Sequence, residues 1–279
     1  LMVYMRFFAP QPVPVEQQEA APEQTAAASK PSPGEATKAV PASIAGNIAV
    51  AAKGREIVVE TDLVKAVVNT AGGVINRWEL KQFREADKSE VGVMPFFRRL
   101  TGGQKQEAKP ETELGNVQLF TRYEGVDRGD ITAPLTITPA DAALAKLAMV
   151  EYRPSLDAVR LDKDTASKTL VLTFTGPAGL SVEKRLTFHN DSYKVDVEIL
   201  TKGLDGYHLA LGTDFGMTDK ISSNASGRVG VAALVDGKVN SEKYESVKGE
   251  LQHAGAVEWF GQHDKYFTAT ILSGAPGIV

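Results

Sequence analysis

Apolar and polar side chains alternate most regularly between residues 169 and 200. Over 169–175, Leu170, Leu172 and Phe174 alternate with Val171 and two threonines, and Gly176-Pro177-Ala178-Gly179 then breaks the run. Leu180, Val182, Leu186 and Phe188 follow on one parity, with Ser181, Glu183, Arg185 and Thr187 on the other. After the turn-type stretch His189-Asn190-Asp191-Ser192, Tyr193, Val195, Val197 and Ile199 stand against Lys194, Asp196 and Glu198. A period of two sends one set of side chains to a buried face and the other to water. Three such runs separated by turn residues predict an antiparallel meander within a larger sheet.

The same signal recurs on both sides of the meander. Ile57, Val59 and Thr61 alternate over 55–61, and Val64, Ala66 and Val68 over 63–69. Ala71-Gly72-Gly73 then offers a turn with residues that accept positive φ, and 74–80 resumes with Trp78 and Leu80 inward and Arg77 and Glu79 outward. The glycine pair lacks the further glycines, or the Gly-Lys-Ser/Thr, of a nucleotide loop, so it reads as a hairpin turn. Strands are predicted over 117–123 and 131–138, a short Ala- and Leu-rich helix over 141–149, and a return to strand over 148–153. Further on, 207–215 alternates through Tyr207, Leu209, Leu211, Thr213 and Phe215. The run 229–235 meets a positive-φ hairpin signal at Asp236-Gly237, and 257–272 carries the last strands. Roughly fifteen short strands without helix–strand alternation predict an all-β, mainly antiparallel, two-sheet sandwich rather than a parallel βαβ fold. No fixed repeat argues for a propeller or solenoid.

Composition narrows the classes. The chain has 279 residues, a net charge of −4 and 43% hydrophobic side chains, enough for a sizeable core and unlike the basic profile of a nucleic-acid binder. It contains no cysteine, which excludes disulfides and thiol chemistry. Residues 9–46 are Pro, Ala, Glu, Gln, Ser and Thr with few large apolar side chains. Such a segment cannot offset its chain entropy by burial, and is expected to be a disordered tether. Residues 1–8 are apolar, with Phe7 and Phe8 after Arg6, yet too few for the ~20 residues of a bilayer crossing. Two readings stand: the trailing end of an N-terminal transmembrane segment, or a local apolar cluster. The globular domain is expected over 47–279.

Candidate chemistry is sparse. The four histidines, His189, His208, His253 and His263, lack the His-x-His or His-x-x-x-His spacing of a metal site. His208 and Asp214 share a strand face and would suit acid–base work, or equally a pair of solvated side chains. Glu258, His263 and Asp264 flank Trp259, a combination that could form a sugar platform or an aromatic packed beneath a charged loop. Met94-Pro95-Phe96-Phe97-Arg98-Arg99-Leu100 could touch a membrane surface or a partner, or pin a loop to the core. Asn190-Asp191-Ser192 and Asn224-Ala225-Ser226 match the glycosylation triplet, a common accidental match, and no Gly-x-Ser-x-Gly elbow occurs. No catalytic, cofactor-binding or metal residue is assigned.

Three stretches together resemble a known family. Ile57-Val58-Val59-Glu60-Thr61-Asp62-Leu63, continuing through Asn69-Thr70-Ala71-Gly72-Gly73 to Leu80-Lys81, is similar to the opening of the periplasmic domain of the YidC-type membrane-protein insertases (the YidC/Oxa/Alb family). Glu183-Lys184-Arg185-Leu186-Thr187-Phe188, leading to Asp191-Ser192-Tyr193-Lys194-Val195, resembles that domain's central hairpin. Trp259, Gln262 and the run Asp264-Lys265-Tyr266-Phe267-Thr268-Ala269 resemble its Trp-plus-Tyr-Phe strand. The resemblance implies a β-supersandwich related to galactose mutarotase-like folds, held in the periplasm outside the Gram-negative inner membrane. It also implies a non-enzymatic role without cofactor: helping to insert and fold inner-membrane proteins, alone or with the Sec translocon (SecYEG, SecDF). Insertion in that family is the work of a later transmembrane region, so no functional residue carries over to this chain. The domain's final strands are expected to be missing, leaving a sheet edge open. A mutarotase-like aldose epimerase and a glycan-binding module on Trp259 or Trp78 remain as other readings.

Overall fold

The structure is a computed structural model that describes residues 48–51, 53–85, 115–121, 132–213, 215, 230–253 and 255–274. The apolar stub, the Pro-rich segment, the 94–100 stretch, Asp214 and the 224–226 triplet lie outside the described residues. Among those described, fifteen strands form four sheets. The first sheet holds β1 (Glu56–Glu60), β2 (Val64–Asn69), β3 (Val74–Arg84), β4 (Asn116–Thr121) and β7 (Ala158–Arg160), in the order β4-β3-β2-β1-β7. The second joins β6 (Arg153–Pro154), β8 (Ser167–Thr175), β9 (Ser181–His189) and β10 (Val195–Lys202) in the order β10-β9-β8-β6. A two-stranded ribbon pairs β5 (Ile137–Pro139) with β11 (Tyr207–Leu209). A last sheet orders β12 (Gly230–Val235), β13 (Lys238–Lys243), β14 (Val257–His263) and β15 (Thr268–Leu272) as β13-β12-β14-β15. Only β1 with β7 pairs in parallel among the named strands; every other pairing is antiparallel.

The alternation places the core where the sequence puts it. Ile57, Val59, Val64, Ala66, Val68, Trp78 and Leu80 of the first sheet share one apolar cluster with Leu170, Leu172, Val182, Leu186 and Phe188 of the second. Ala71-Gly72-Gly73 is the β2–β3 turn, with φ of +78° at Gly72 and +58° at Gly73. A Cβ at Gly72 would lie 2.6 Å from the Ala148 carbonyl oxygen, so the turn needs glycine for space as well as for backbone angle.

Several segments differ from their pattern. The predicted strand 131–138 is mostly turn and coil, with Leu135 at φ +71° and only Ile137–Pro139 extended. Likewise the described part of 207–215 is regular strand only over Tyr207–Leu209; past that point the turn at Pro134–Leu135 interrupts the ladder, although Ala210 still bonds Leu135 and Thr136, and Thr213 still bonds Thr132. The Ala- and Leu-rich run is a 3-10 helix, Ala142–Met149, capped by the Asp141 carboxylate accepting from Ala143 N at 2.9 Å and buried through Leu144 and Leu147. β7 has no alternation long enough to be read from sequence.

Two polar ties join the first two sheets. At the turns, Asn190 Oδ1 accepts from Asp62 N at 2.9 Å while Asn190 Nδ2 donates to Asp62 Oδ2 at 2.6 Å. Asn190 is buried and engaged, which removes it as a glycan acceptor. The second tie is Lys184, which lies on the apolar parity of β9 and is wholly buried. Its ammonium donates to the carbonyls of Leu135 at 2.6 Å, Gly72 at 2.7 Å and Gly73 at 3.1 Å, and sits 5.0 Å from the Tyr152 ring centroid. All three accepting residues have positive φ. Burial pulls the amine down from its ordinary value to about 7.

Lys184→Met keeps the stem but orphans three buried carbonyls, and is expected to cost roughly 2–5 kcal/mol, read as a lower urea midpoint at unchanged slope. The same titration against pH tests the amine. Below about pH 7 the native amine is charged and the cost of burying it is fully present. From there to about pH 10 the unfolded chain still holds a proton that the core has released, so stability rises with pH. Lys184→Met should flatten that rise. The Tyr152 hydroxyl is buried with no partner among the described residues. Tyr152→Phe keeps the ring under the ammonium and is therefore expected to leave stability unchanged or raise it by up to about 1 kcal/mol.

Candidate functional site

β10 carries the feature that separates this domain from a closed sandwich. Its inward parity is Val195, Val197 and Ile199, in register with Phe188, Leu186 and Lys184 of β9. The β9 residues are buried, but Val195 and Ile199 are only half-buried and Val197 is 40% exposed. The covering sheet therefore stops short of the last strand. In front of these side chains lies an open cleft of about 1670 Å³. β3 and β4 contribute Trp78, Phe83 and Phe120 to its walls, and the β14–β15 region contributes Phe267 and Ile271. Phe83 meets Phe267 edge to face with centroids 5.4 Å apart, and Phe120 meets Phe215 at 5.4 Å with the planes tilted by 52°.

Charge lines part of the cleft and is internally compensated. Arg185 donates from Nε to Glu183 at 2.7 Å and from Nη1 to Glu198 at 3.0 Å. Asp196 accepts from Lys194 Nζ at 2.5 Å and contacts His189 Nε2 at 2.7 Å. The bond from Lys194, then that from His189, holds the Asp196 carboxyl below its usual range. Of these pairs only Arg185–Glu198 and His189–Asp196 cross from β9 to β10, and exposed pairs of this kind add little stability, which leaves the apolar wall as the distinctive surface.

A smaller cavity of about 440 Å³ adjoins the cleft across the shared wall Leu209–Leu211. Val231, Ala233 and Phe260 supply apolar lining, and Asn240, Glu242 and His253 are its polar members. Tyr244 Oη donates to Gln262 Oε1 at 3.1 Å, and Gln262 Nε2 donates onward to the Gly212 carbonyl. Burial raises the Tyr244 hydroxyl above its ordinary range.

The sequence-derived candidates do not converge on one centre. Of the four histidines, His253 alone lines either cavity; His189 pairs with Asp196, and His208 is exposed on β11. Asp264 accepts from Tyr266 N at 2.7 Å and Phe267 N at 2.6 Å, which makes it the organiser of the β14–β15 turn. Glu258 sits exposed in the strand beside Trp259. Among the described residues no group of three or more His, Cys, Asp or Glu could hold a metal ion. No helix there is long and apolar enough to cross a membrane. Period-two reasoning finds the inward side chains of β10 but not that they stay uncovered, and it leaves Lys184 out even though it shares the parity of Val182 and Leu186.

Comparison with known proteins agrees with this architecture. Residues 104–277 match the family model described as the YidC periplasmic domain. The chain is 26% identical over 231 residues to a protein named membrane protein insertase YidC from Syntrophus aciditrophicus (strain SB), covering 81% of this chain and 37% of that protein. It is 28% identical over 269 residues to the one from Geotalea uraniireducens (strain Rf4), covering 94% of this chain and 43% of the relative. That from Pelobacter propionicus (strain DSM 2379 / NBRC 103807 / OttBd1) is 25% identical over 277 residues, covering 97% and 45% respectively. The chain thus spans less than half the length of these curated relatives. With its all-β fold and a matching model over most of its length, the chain belongs to the YidC periplasmic domain family.

Proposed function

We propose that this domain is the periplasmic contact module of a membrane-protein insertase, helping inner-membrane proteins to insert and fold without chemistry of its own. The relatives are named for insertion rather than for a chemical transformation. In this reading residues 1–8 end an N-terminal anchor, 9–46 are a tether, and 47–279 form the domain outside the membrane. The partners are extended segments of nascent membrane proteins and components of the Sec translocon (SecYEG, SecDF).

The uncovered inward face of β10 carries the proposal. Val195, Val197 and Ile199 meet an aromatic-walled cleft large enough for several side chains of an extended polypeptide. β10 is also an outermost strand, and among the described residues nothing pairs with its far edge. A client segment can therefore add as a strand, sequence-tolerant through its backbone, while its apolar side chains enter the cleft. Sites of this kind need shape and apolar surface, not a reaction centre.

Photo-crosslinking from within the natural gene product in cells tests this. A photoreactive residue at Val197 is expected to give light-dependent adducts with nascent inner-membrane proteins, several-fold above those from Asp164 in a solvent-exposed turn. Equal labelling from both positions, or none from Val197, would refute the cleft as the client site.

A further inference from the structure

The outward face of the last sheet is a second apolar surface, which meets the cleft along its edge strand, where Thr268, Thr270 and Leu272 border both. Pairing registers place its side chains on a regular grid. Val239, Leu234, Trp259 and Leu272 stand in one row across β13, β12, β14 and β15. Ser241, Ala232, Gly261 and Thr270 make the next row, and Lys243, Gly230, His263 and Thr268 the third. Period two puts all twelve on one face, opposite Ala233 and Phe260, which belong to the sheet's small buried cluster.

This face is apolar along one side and carries Lys243 and His263 along the other. Leu272 is 75% exposed and Val239 58%, with Trp259 half-buried between them. The middle row is kept low by Gly261, where a Cβ would meet the Ala269 carbonyl oxygen at 2.5 Å. In a chain of net charge −4, none of the twelve grid positions is a carboxylate. Glu242 lies on the opposite parity, Asp236 in the β12–β13 turn, and Glu258 at the bulge beyond the apolar row.

We propose that this face docks on the phospholipid surface of the membrane. Trp259, Leu272 and Val239 enter the interfacial layer, and Lys243, with His263 when protonated, faces anionic headgroups. The idea rests on the reading that the domain works beside the inner membrane. Size and charge favour lipid over a protein partner. Twelve positions, each occupying about 4.8 by 6.7 Å, cover only roughly 400 Å². A stable protein interface needs about 800 Å² from each partner. An interfacial tryptophan with two aliphatic neighbours and no carboxylate among the twelve grid positions is by contrast sufficient for reversible binding to an anionic bilayer.

Tryptophan quenching in the full 279-residue chain tests the proposal, because Trp259 and the core residue Trp78 are its two tryptophans. Vesicles of phosphatidylethanolamine and phosphatidylglycerol with brominated chains should quench the native chain. The Trp259→Phe chain, reporting Trp78 alone, should not be quenched. Leu272→Asp is exposed enough to fold normally and should weaken vesicle binding by about tenfold or more. Lys243→Glu should weaken it further as the phosphatidylglycerol fraction rises. Absence of quenching overturns the proposal, and so does quenching unchanged by Leu272→Asp, which would place binding elsewhere on the chain. A Trp259 emission shift that follows protein concentration without lipid also overturns it, in favour of a second copy. Since the vesicles contain no protein, these outcomes leave the Val197 crosslinks as the separate test of the client-binding reading.

Discussion

A single ammonium group inside the sandwich ties together the β2–β3 turn, the bend at Pro134–Leu135 and the middle of β9. Lys184 enters from the middle of β9 and ends on the carbonyls of Gly72, Gly73 and Leu135, one from each of three residues in the left-handed region. Backbone carbonyls turned inward at such residues would otherwise face an apolar core without a donor, at a cost of about 1–3 kcal/mol each. An ammonium has three donors and no acceptor, so it matches the need with nothing left over. Arginine would be too broad for this apex and glutamine would leave one carbonyl unsatisfied. The interaction thus fixes the β2–β3 turn, the bend at Pro134–Leu135 and the second sheet in one frame. The cost is a charge with no counter-ion among the described residues, partly offset by the Tyr152 ring, and it surfaces as the lowered amine.

Because Lys184 and the Asn190–Asp62 pair clamp the two sheets, the outer strand can be left uncovered without the sandwich opening. The sheets coincide over β8 and β9 and part at β10, which turns an inward apolar stripe into a cleft wall. The ribbon β5–β11 adds Tyr207 and Leu209 to the cleft lining, and the β14–β15 region adds Phe267 and Ile271. The contact function proposed above would draw on that arrangement. Its working surfaces are apolar side chains that the fold positions but does not bury, and their energy becomes available when a partner covers them.

Much of this was legible in the sequence, and the exceptions are instructive. The meander 169–200, the hairpin at Gly72-Gly73 and the inward placement of Trp78 and Leu80 followed from period two and turn chemistry alone, because those strands are half-buried over their full length. The pattern misread 131–138 and the end of 207–215, where backbone bends at Leu135 override side-chain alternation. It was silent on Lys184 because a lysine at an inward position reads as a solvated charge until three carbonyls are known to converge on it. It could not separate β10 from β9 either. Both alternate equally well, and whether an inward residue is covered depends on where the opposite sheet ends, which is a long-range property. The outward row on the last sheet had the same obstacle: Val239, Leu234, Trp259 and Leu272 become neighbours only through register.

The central claim is that a charged lysine, buried and shared by three carbonyls, frames the domain. Nitrogen-15 NMR of the lysine side chains, followed from pH 5 to pH 10, addresses it directly. One ammonium should be visible at low pH with slowly exchanging protons and scalar couplings to the Gly72, Gly73 and Leu135 carbonyls. It should titrate near 7, well below the ordinary value of a lysine amine. A Lys184 signal whose protons exchange rapidly with solvent and that titrates near the ordinary lysine value would contradict the account.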